Sequence, residues 1–458
     1  MKYEKVKQIL CLLVLLTVLG SVCVVSSQGY EQWSVDIGGE DTENFKAIKE
    51  TSDNGFIIVG YVESFTTDDK AVYLVKTDSM GEIEWSHSYG DAQDDEGNDV
   101  IQTTDGGYLV SGYTKSYGAG LTDVWLIKTD STGEIQWEQV IGGAKNDVAN
   151  SVIALENGEY VVVGSTSSYG AGSSDCWLLK TSSEGEILWN MTLGGTSYDN
   201  GHDIISVDDG LLIIGETSSY GAGWNDFWLV KLDMDGVASW NKTYGGSLND
   251  AGKSIIATDD GYLLAGTSES FGDNLPEGYI VKVDSSGELQ WENNYGGASD
   301  DYLESVTIYP DTGYLCVGYT LSTGTGESDV WLFSINNDGE LLEESFYGGA
   351  LRDRMYDIIP TSDDGYIIAG FTWSFGTSGN GYLIKLTLEE PESEPETTQE
   401  TETETETESE TETEPEVETE QEESSGGIPG FQVFPVAIGL VAASLALLHK
   451  RHPFFSHS

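Results

Sequence analysis

Basic side chains are scarce in this 458-residue chain: 20 Lys and Arg stand against 79 Asp and Glu, giving a net charge of −59. Such a surface repels nucleic acid and anionic lipid, so nucleic acid is excluded as a partner. It suits calcium, cationic partners or a salty medium. Histidine is nearly missing, with only His87 and His202 between residues 28 and 388, so no transition-metal cluster can be built there from histidines. Cysteine is sparse too. Cys11 and Cys23 lie in the apolar leader, which leaves Cys176 and Cys316, each in a column of otherwise aliphatic residues. These two read as buried thiols and not as a disulfide framework. There is no G-x-S-x-G elbow and no D-x-D-x-D-G loop, so neither a serine-hydrolase site nor an EF-hand calcium site is signalled. Long apolar runs occur only at the two ends of the chain.

Lys2, Lys5 and Lys7 precede an apolar run from Ile9 to Val25, and Val25-Ser26-Ser27 supplies small residues for cleavage. Residues 1–27 therefore read as a secretory signal peptide. Residues 389–428 form an acidic Glu/Thr-rich stalk, which self-repulsion keeps extended. Pro429-Gly430-Phe431 opens a mostly apolar stretch to Leu448, followed by Lys450 and Arg451. That stretch is just long enough for one transmembrane helix, over 429–451, with a cytoplasmic tail at 452–458 and the rest outside. The order of acidic stalk, PGF, apolar helix and Lys-Arg resembles the PGF C-terminal sorting signal of archaeal surface proteins. That resemblance implies an archaeal source and removal of the helix by a sortase, with a plain membrane anchor as the alternative.

Between the ends the chain repeats itself. Trp33, Trp85, Trp137, Trp189, Trp240 and Trp291 recur every 51 or 52 residues, and all but the first close a phrase such as GEIQW at 133–137. A seventh copy, GELLE at 339–343, lacks its Trp. A period near 50 residues marks a propeller or a solenoid. One unit reads as four strands, at Asp99–Thr103 (A), Tyr108–Thr114 (B), Asp123–Thr129 (C) and 134–141 (D), with a turn or loop at each break. The expected fold is all-β: a seven-bladed β-propeller over 28–388, four strands per blade. The chain enters on a D strand at Tyr30–Ile37 and leaves on a C strand near 382–388. The last blade should therefore be closed by the N-terminal strand, which hides two sheet edges. The phrase DSTGEIQW at 130–137 resembles the tryptophan-docking motif of PQQ-type propellers, in an uncharacterised family of microbial surface repeats. The resemblance implies that the turn holds the Trp between blades. It departs in having one residue fewer between Asp130 and Gly133, and seven units instead of eight.

The repeating Trp residues, from Trp33 to Trp291, read as structural docking residues, since an active site needs one asymmetric copy. An acidic column follows each D-to-A turn: Glu43, Asp95, Asp147, Asp199, Asp250, Asp301 and Asp353. A second precedes most C strands: Asp123, Asp175, Asp226, Glu277 and Asp329. A short carboxylate at a turn commonly caps backbone N–H groups. Calcium ligation is the other reading, and no cofactor besides calcium is expected. Tyr117, Tyr169, Tyr220 and Phe271 either stack on sugar rings or pack between blades. Asn190 and Asn241 open N-glycosylation sequons directly after a strand-D Trp.

No catalytic residues stand out. The expectation is an extracellular, membrane-anchored, monomeric module that binds a protein, glycan or surface-layer component through one propeller face. The D-to-A and B-to-C loops should share that face and carry both acidic columns, making it strongly negative near the central channel. The alternative is an extracellular polysaccharide hydrolase or lyase.

Overall fold

In the computed structural model the described residues are 30–387, apart from Phe65 and Thr377. The expected signal peptide, stalk, sorting segment and tail lie outside them. The described residues form twenty-eight strands in seven four-stranded antiparallel sheets. Within each blade the strands pair in the order A-B-C-D, and strand A of each blade packs against strand A of its neighbours around a central axis. Burial follows from this placement. Strand C of blade 2, Asp123–Thr129, is buried at all seven positions. It is covered on both faces by adjacent blades, so its centre, residues 124–127, reads as an unbroken apolar run. The outer strand D of the same blade, Ile135–Ile141, is exposed or half-buried throughout. Each fully buried Leu or Ile in the inner strands stabilises the ring by about 1.5–3 kcal/mol.

Closure occurs as expected. Tyr30–Ile37 is the D strand of blade 7 and pairs antiparallel with Asn380–Thr387, its C strand. Every strand-D Trp lies over the glycine of the next blade's C-to-D turn. A Cβ at Gly81 would sit 2.7 Å from the Trp33 ring, and one at Gly287 2.8 Å from Trp240. Trp137 Nε1 donates to Ser183 O at 3.2 Å and Trp291 Nε1 to Asn337 O at 3.1 Å, both on that same turn. Position 343, in strand D of blade 6, is where the column of docking Trp residues is interrupted. The blade beyond it is blade 7, whose C and D strands come from opposite ends of the domain, so no C-to-D turn joins them. The glycine at the equivalent place, Gly29, lies outside the described residues, and position 343 itself is Glu.

The A strands depart from the sequence reading. Strand A of blade 2 spans Asp95–Gln102 and begins four residues earlier than expected. The residues before Asp99 are polar and the register slips between Gly97 and Asp99. A one-residue bulge breaks the alternation that marks a strand. Cys176 and Cys316 are buried free thiols, and burial pushes both well above the ordinary thiol range.

Candidate binding site at the axial channel mouth

The acidic column builds the long-loop face without lining it. Asp95, Asp147, Asp199, Asp250 and Asp353 have no exposed surface and Asp301 has 1%. Asp147 Oδ2 accepts hydrogen bonds from Gly143 N and Ser168 Oγ, each at 2.7 Å, while Oδ1 accepts from the Thr166 hydroxyl. The same staple recurs at Asp199, Asp250, Asp301 and Asp353. It ties the D-to-A turn to the B-to-C loop. The second column does the same locally, as where Asp123 Oδ2 accepts from Ala119 N and Gly120 N at 3.1 and 2.9 Å. A Cβ at Gly142 would lie 2.0 Å from Asp123 Oδ1, so the Gly-Gly pair is the space these carboxylates occupy. The expectation that Asp95 to Asp353 present carboxylates to a ligand therefore gives way to the capping reading. With no exposed surface and both oxygens bonded to loop N–H and O–H groups, these carboxylates are closed to a ligand. Among the described residues no three His, Cys, Asp or Glu side chains group as a metal site. The loop aromatics are held likewise: Tyr169 packs on Trp177 at 5.5 Å and its hydroxyl donates to Gly142 O at 2.9 Å.

The asymmetry that a site requires lies at the axis. In every blade the register slips around one residue of strand A. A bulged residue is left unpaired in the ladder and its side chain is re-aimed. These seven residues are Lys46, Asn98, Asn150, His202, Lys253, Glu304 and Tyr356. Where other columns repeat a Trp, a Gly or an Asp, this one changes in nearly every blade. Their side chains meet across the ring. The Lys46 ammonium lies 4.5 Å from the Tyr356 ring centre and 5.8 Å from that of Tyr61. Lys253, Lys46 and Arg354 all act on Glu304, from three different blades. Asn98 and Asn150 instead hold the neighbouring blade, donating to Ala149 O at 2.8 Å and Gly201 O at 2.7 Å.

Around this ring stand further unlike groups. The Arg354 guanidinium lies 4.2 Å from the Tyr319 ring centre, and Tyr319 stacks on Tyr302 at 4.8 Å. Lys70 pairs with Glu96 at 2.6 Å. His202 Nε2 is 3.2 Å from Glu216 Oε1, and Glu216 also accepts from Asn225 Nδ2 at 2.8 Å. Burial, with Lys253 adding to it, pulls His202 below its ordinary value despite Glu216, so the ring is neutral at pH 7. Burial also lowers Lys46 against the pull of Glu96 and Glu304, and raises Glu304 against three cations. Of the 15 basic residues in the propeller, Lys46, Lys49, Lys70, Lys253 and Arg354 gather at the axis. Six more, Lys76, Lys128, Lys180, Lys231, Lys282 and Lys385, form a column under the A-to-B turns. Lys128 Nζ, for example, pairs with Asp105 at 2.9 Å with its side chain 3% exposed. The channel mouth is therefore not uniformly negative.

Further along the axis is a belt of three aspartates. Asp99, Asp203 and Asp357 accept from the backbone N–H of Val152, Ile255 and Ile48 in the next blade, at 2.9, 3.1 and 3.1 Å. Lys49 Nζ sits 3.3 Å from Asp357 and 3.6 Å from Asp99. Burial pushes Asp203 up to about 6, and Asp99 adds to the effect. The belt joins blades to one another and forms a rigid floor under the ring of unlike residues.

No protein-family model matches this chain, and no curated protein matches it. Solved structures that resemble it include the Pan2 WD40 domain of Neurospora crassa, at 9% identity and TM-score 0.46, covering 75% of this chain and 89% of that one. The polysaccharide lyase Uly1 is similar at 10% identity and TM-score 0.46, over 75% and 90%. The β-propeller domain of the Trilobed protease from Pyrococcus furiosus is similar at 10% identity and TM-score 0.40, over 79% and 97%. These likenesses are of fold alone: the chain is a β-propeller built on its own repeat.

Proposed function

We propose that this protein is a surface-displayed binding module that receives a protein, glycan or surface-layer component at the channel mouth on its long-loop face. The observation that supports it is the contrast between columns. Scaffold positions repeat from blade to blade, whereas the bulged ring holds Lys46, His202, Lys253, Glu304 and Tyr356 at equivalent positions. A rigid ring with one face of loops is the arrangement on which binding sites are commonly carried. In this reading the chain is secreted behind the leader at 1–27, held outside the membrane through 429–451 by an archaeal PGF-type signal, and spaced from it by 389–428. It acts as a monomer, and Asn190 and Asn241, both exposed on D strands, carry glycans. Calcium is the one ion this reading admits, as a bridge to the ligand. The test is retention of surface proteins and glycans from the producing cell on immobilised full chain. A partner retained by the native chain and lost on substituting Tyr356 and Lys253 to Ala supports the reading. A partner retained equally by both variants places binding elsewhere.

One observation favours a catalytic reading, the polysaccharide hydrolase or lyase. A neutral His202 oriented by Glu216 can exchange a proton, with Arg354 and several tyrosines nearby. Release of new reducing ends from acidic polysaccharide, abolished by His202→Gln, would establish it.

A further inference from the structure

Two cations of the mouth, Lys46 and Arg354, rest on aromatic rings and not on carboxylates, whereas Lys70 pairs with Glu96. Lys46 and Lys253 make no ion pair with a carboxylate of the described residues, although acids outnumber bases four to one in the propeller. Lys46 rests over Tyr356 and Tyr61, and Arg354 over Tyr319, with its Nε bonded only to Ser328 Oγ at 3.2 Å. A cation–π contact orients a cation without cancelling its charge. Three cations from blades 1, 5 and 7 thus act together on Glu304, which makes no ion pair within contact distance, while Glu96, paired with Lys70, also acts on Lys46 and Glu216 on Lys253. Burial disfavours both the lone ammonium of Lys46 and the lone carboxylate of Glu304, and an incoming oxyanion would relieve the first. Around the cations stand groups that bond to hydroxyls: the Tyr61, Tyr198, Tyr302 and Tyr356 phenols, Asn44 and His202. Asn44 Oδ1 is buried with no partner.

We infer that the channel mouth binds an acidic saccharide, with Lys46, Lys253 and Arg354 taking its carboxylate and the surrounding phenols and amides its hydroxyls. This rests on the reading of the mouth as a binding site and adds the chemistry of the ligand. Glu304 competes with the ligand for the same cations.

The test is calorimetric titration of the full chain with oligogalacturonate at low salt, beside its methyl ester and an oligoglutamate peptide. Oligogalacturonate is expected to bind, and the neutral ester to bind at least about tenfold more weakly. Lys46→Met with Arg354→Met should weaken binding by about tenfold or more, while Arg352→Met, an exposed loop cation paired with Glu327, leaves it unchanged. Because the double variant could loosen the ring, Glu304→Gln gives the complementary readout. It should tighten binding about threefold or more by removing the competing charge, a gain no structural role produces. Equal binding of the ester overturns the anionic character while leaving the mouth as a binding site. Preference for oligoglutamate overturns the saccharide, and failure of oligogalacturonate to bind overturns the inference. Weakening by Arg352→Met equal to that of the double variant overturns the site.

Discussion

Asp147 shows what the acidic column does. It accepts from a turn N–H, a loop hydroxyl and a strand hydroxyl at once, and charge-assisted bonds of this kind contribute about 1.5–3 kcal/mol each. Asp147→Ala is expected to destabilise the ring by about 3 kcal/mol or more, read from urea unfolding. Glu43 occupies the same column in blade 1 and is a poorer fit. Its longer side chain leaves Oε2 buried without a partner, and burial pushes its carboxyl up to about 7, with Asp41 reinforcing the shift. A carboxyl raised in the fold binds its proton more tightly folded than unfolded. Its contribution is therefore full below the unfolded value near 4.5 and is lost as pH rises to about 7. Unfolding measured at pH 5 and pH 8 should show the chain less stable at pH 8. Glu43→Gln should remove a difference of about 2–3 kcal/mol. The capping role was legible in the sequence because an acid at a fixed place beside paired glycines has few uses. The ring of unlike residues was not. Lys46, Asn98 and their equivalents stand where the polar, bulged half of strand A reads as loop. The signal was present nonetheless, as a column that refuses to repeat three places after the acid. The lysines under the A-to-B turns escaped for the opposite reason: six repeat, five of them buried, but lysine is read as surface until its partner is placed.

At the scale of strands, the tryptophan period carries most of the fold. Spacing between identical docking contacts is fixed by backbone geometry, so it survives where side chains vary. Trp137 covers Gly185 across the blade junction, and Trp137→Ala should cost about 3 kcal/mol or more. Glu343→Trp restores the motif on paper and should gain less than Trp137→Ala costs, because in blade 7 no continuous C-to-D turn joins the two strands. Thermal unfolding of the two variants beside the native chain separates the cases. The offset between the Trp phase and the ends of the repeat placed the closing strand at Tyr30–Ile37, where the structure has it. Deleting that strand exposes the ladder edge of Asn380–Thr387. The expected outcome is a loss of several kcal/mol at ~1 kcal/mol per ladder bond, and association visible by light scattering.

For the molecule as a whole, the axis is the least replaceable part. Lys49 from blade 1 is the cation that Asp99, Asp203 and Asp357 of blades 2, 4 and 7 share. Removing one partner of a partly buried network leaves uncompensated charge, so Lys49→Met should cost about 3 kcal/mol at pH 8. It should cost less at pH 5, where Asp203, raised to about 6, is already protonated. Chemical unfolding of the variant at the two pH values checks this. The seam of the ring also has a mechanical meaning. Thr387 is the register partner of Tyr30, and it lies at the end of the seam strand on the short-turn side, away from the channel mouth. A tether continuing from Thr387 would pull along the length of Asn380–Thr387, which is hydrogen-bonded on both flanks, to Tyr366–Thr372 and to Tyr30–Ile37. The bonds of an antiparallel ladder run across the strands, so such a pull loads two ladders in shear, all rungs at once, and does not peel them one by one. Under such a pull the tension would be borne by the seam strand, and the mouth would face away from the point of pull.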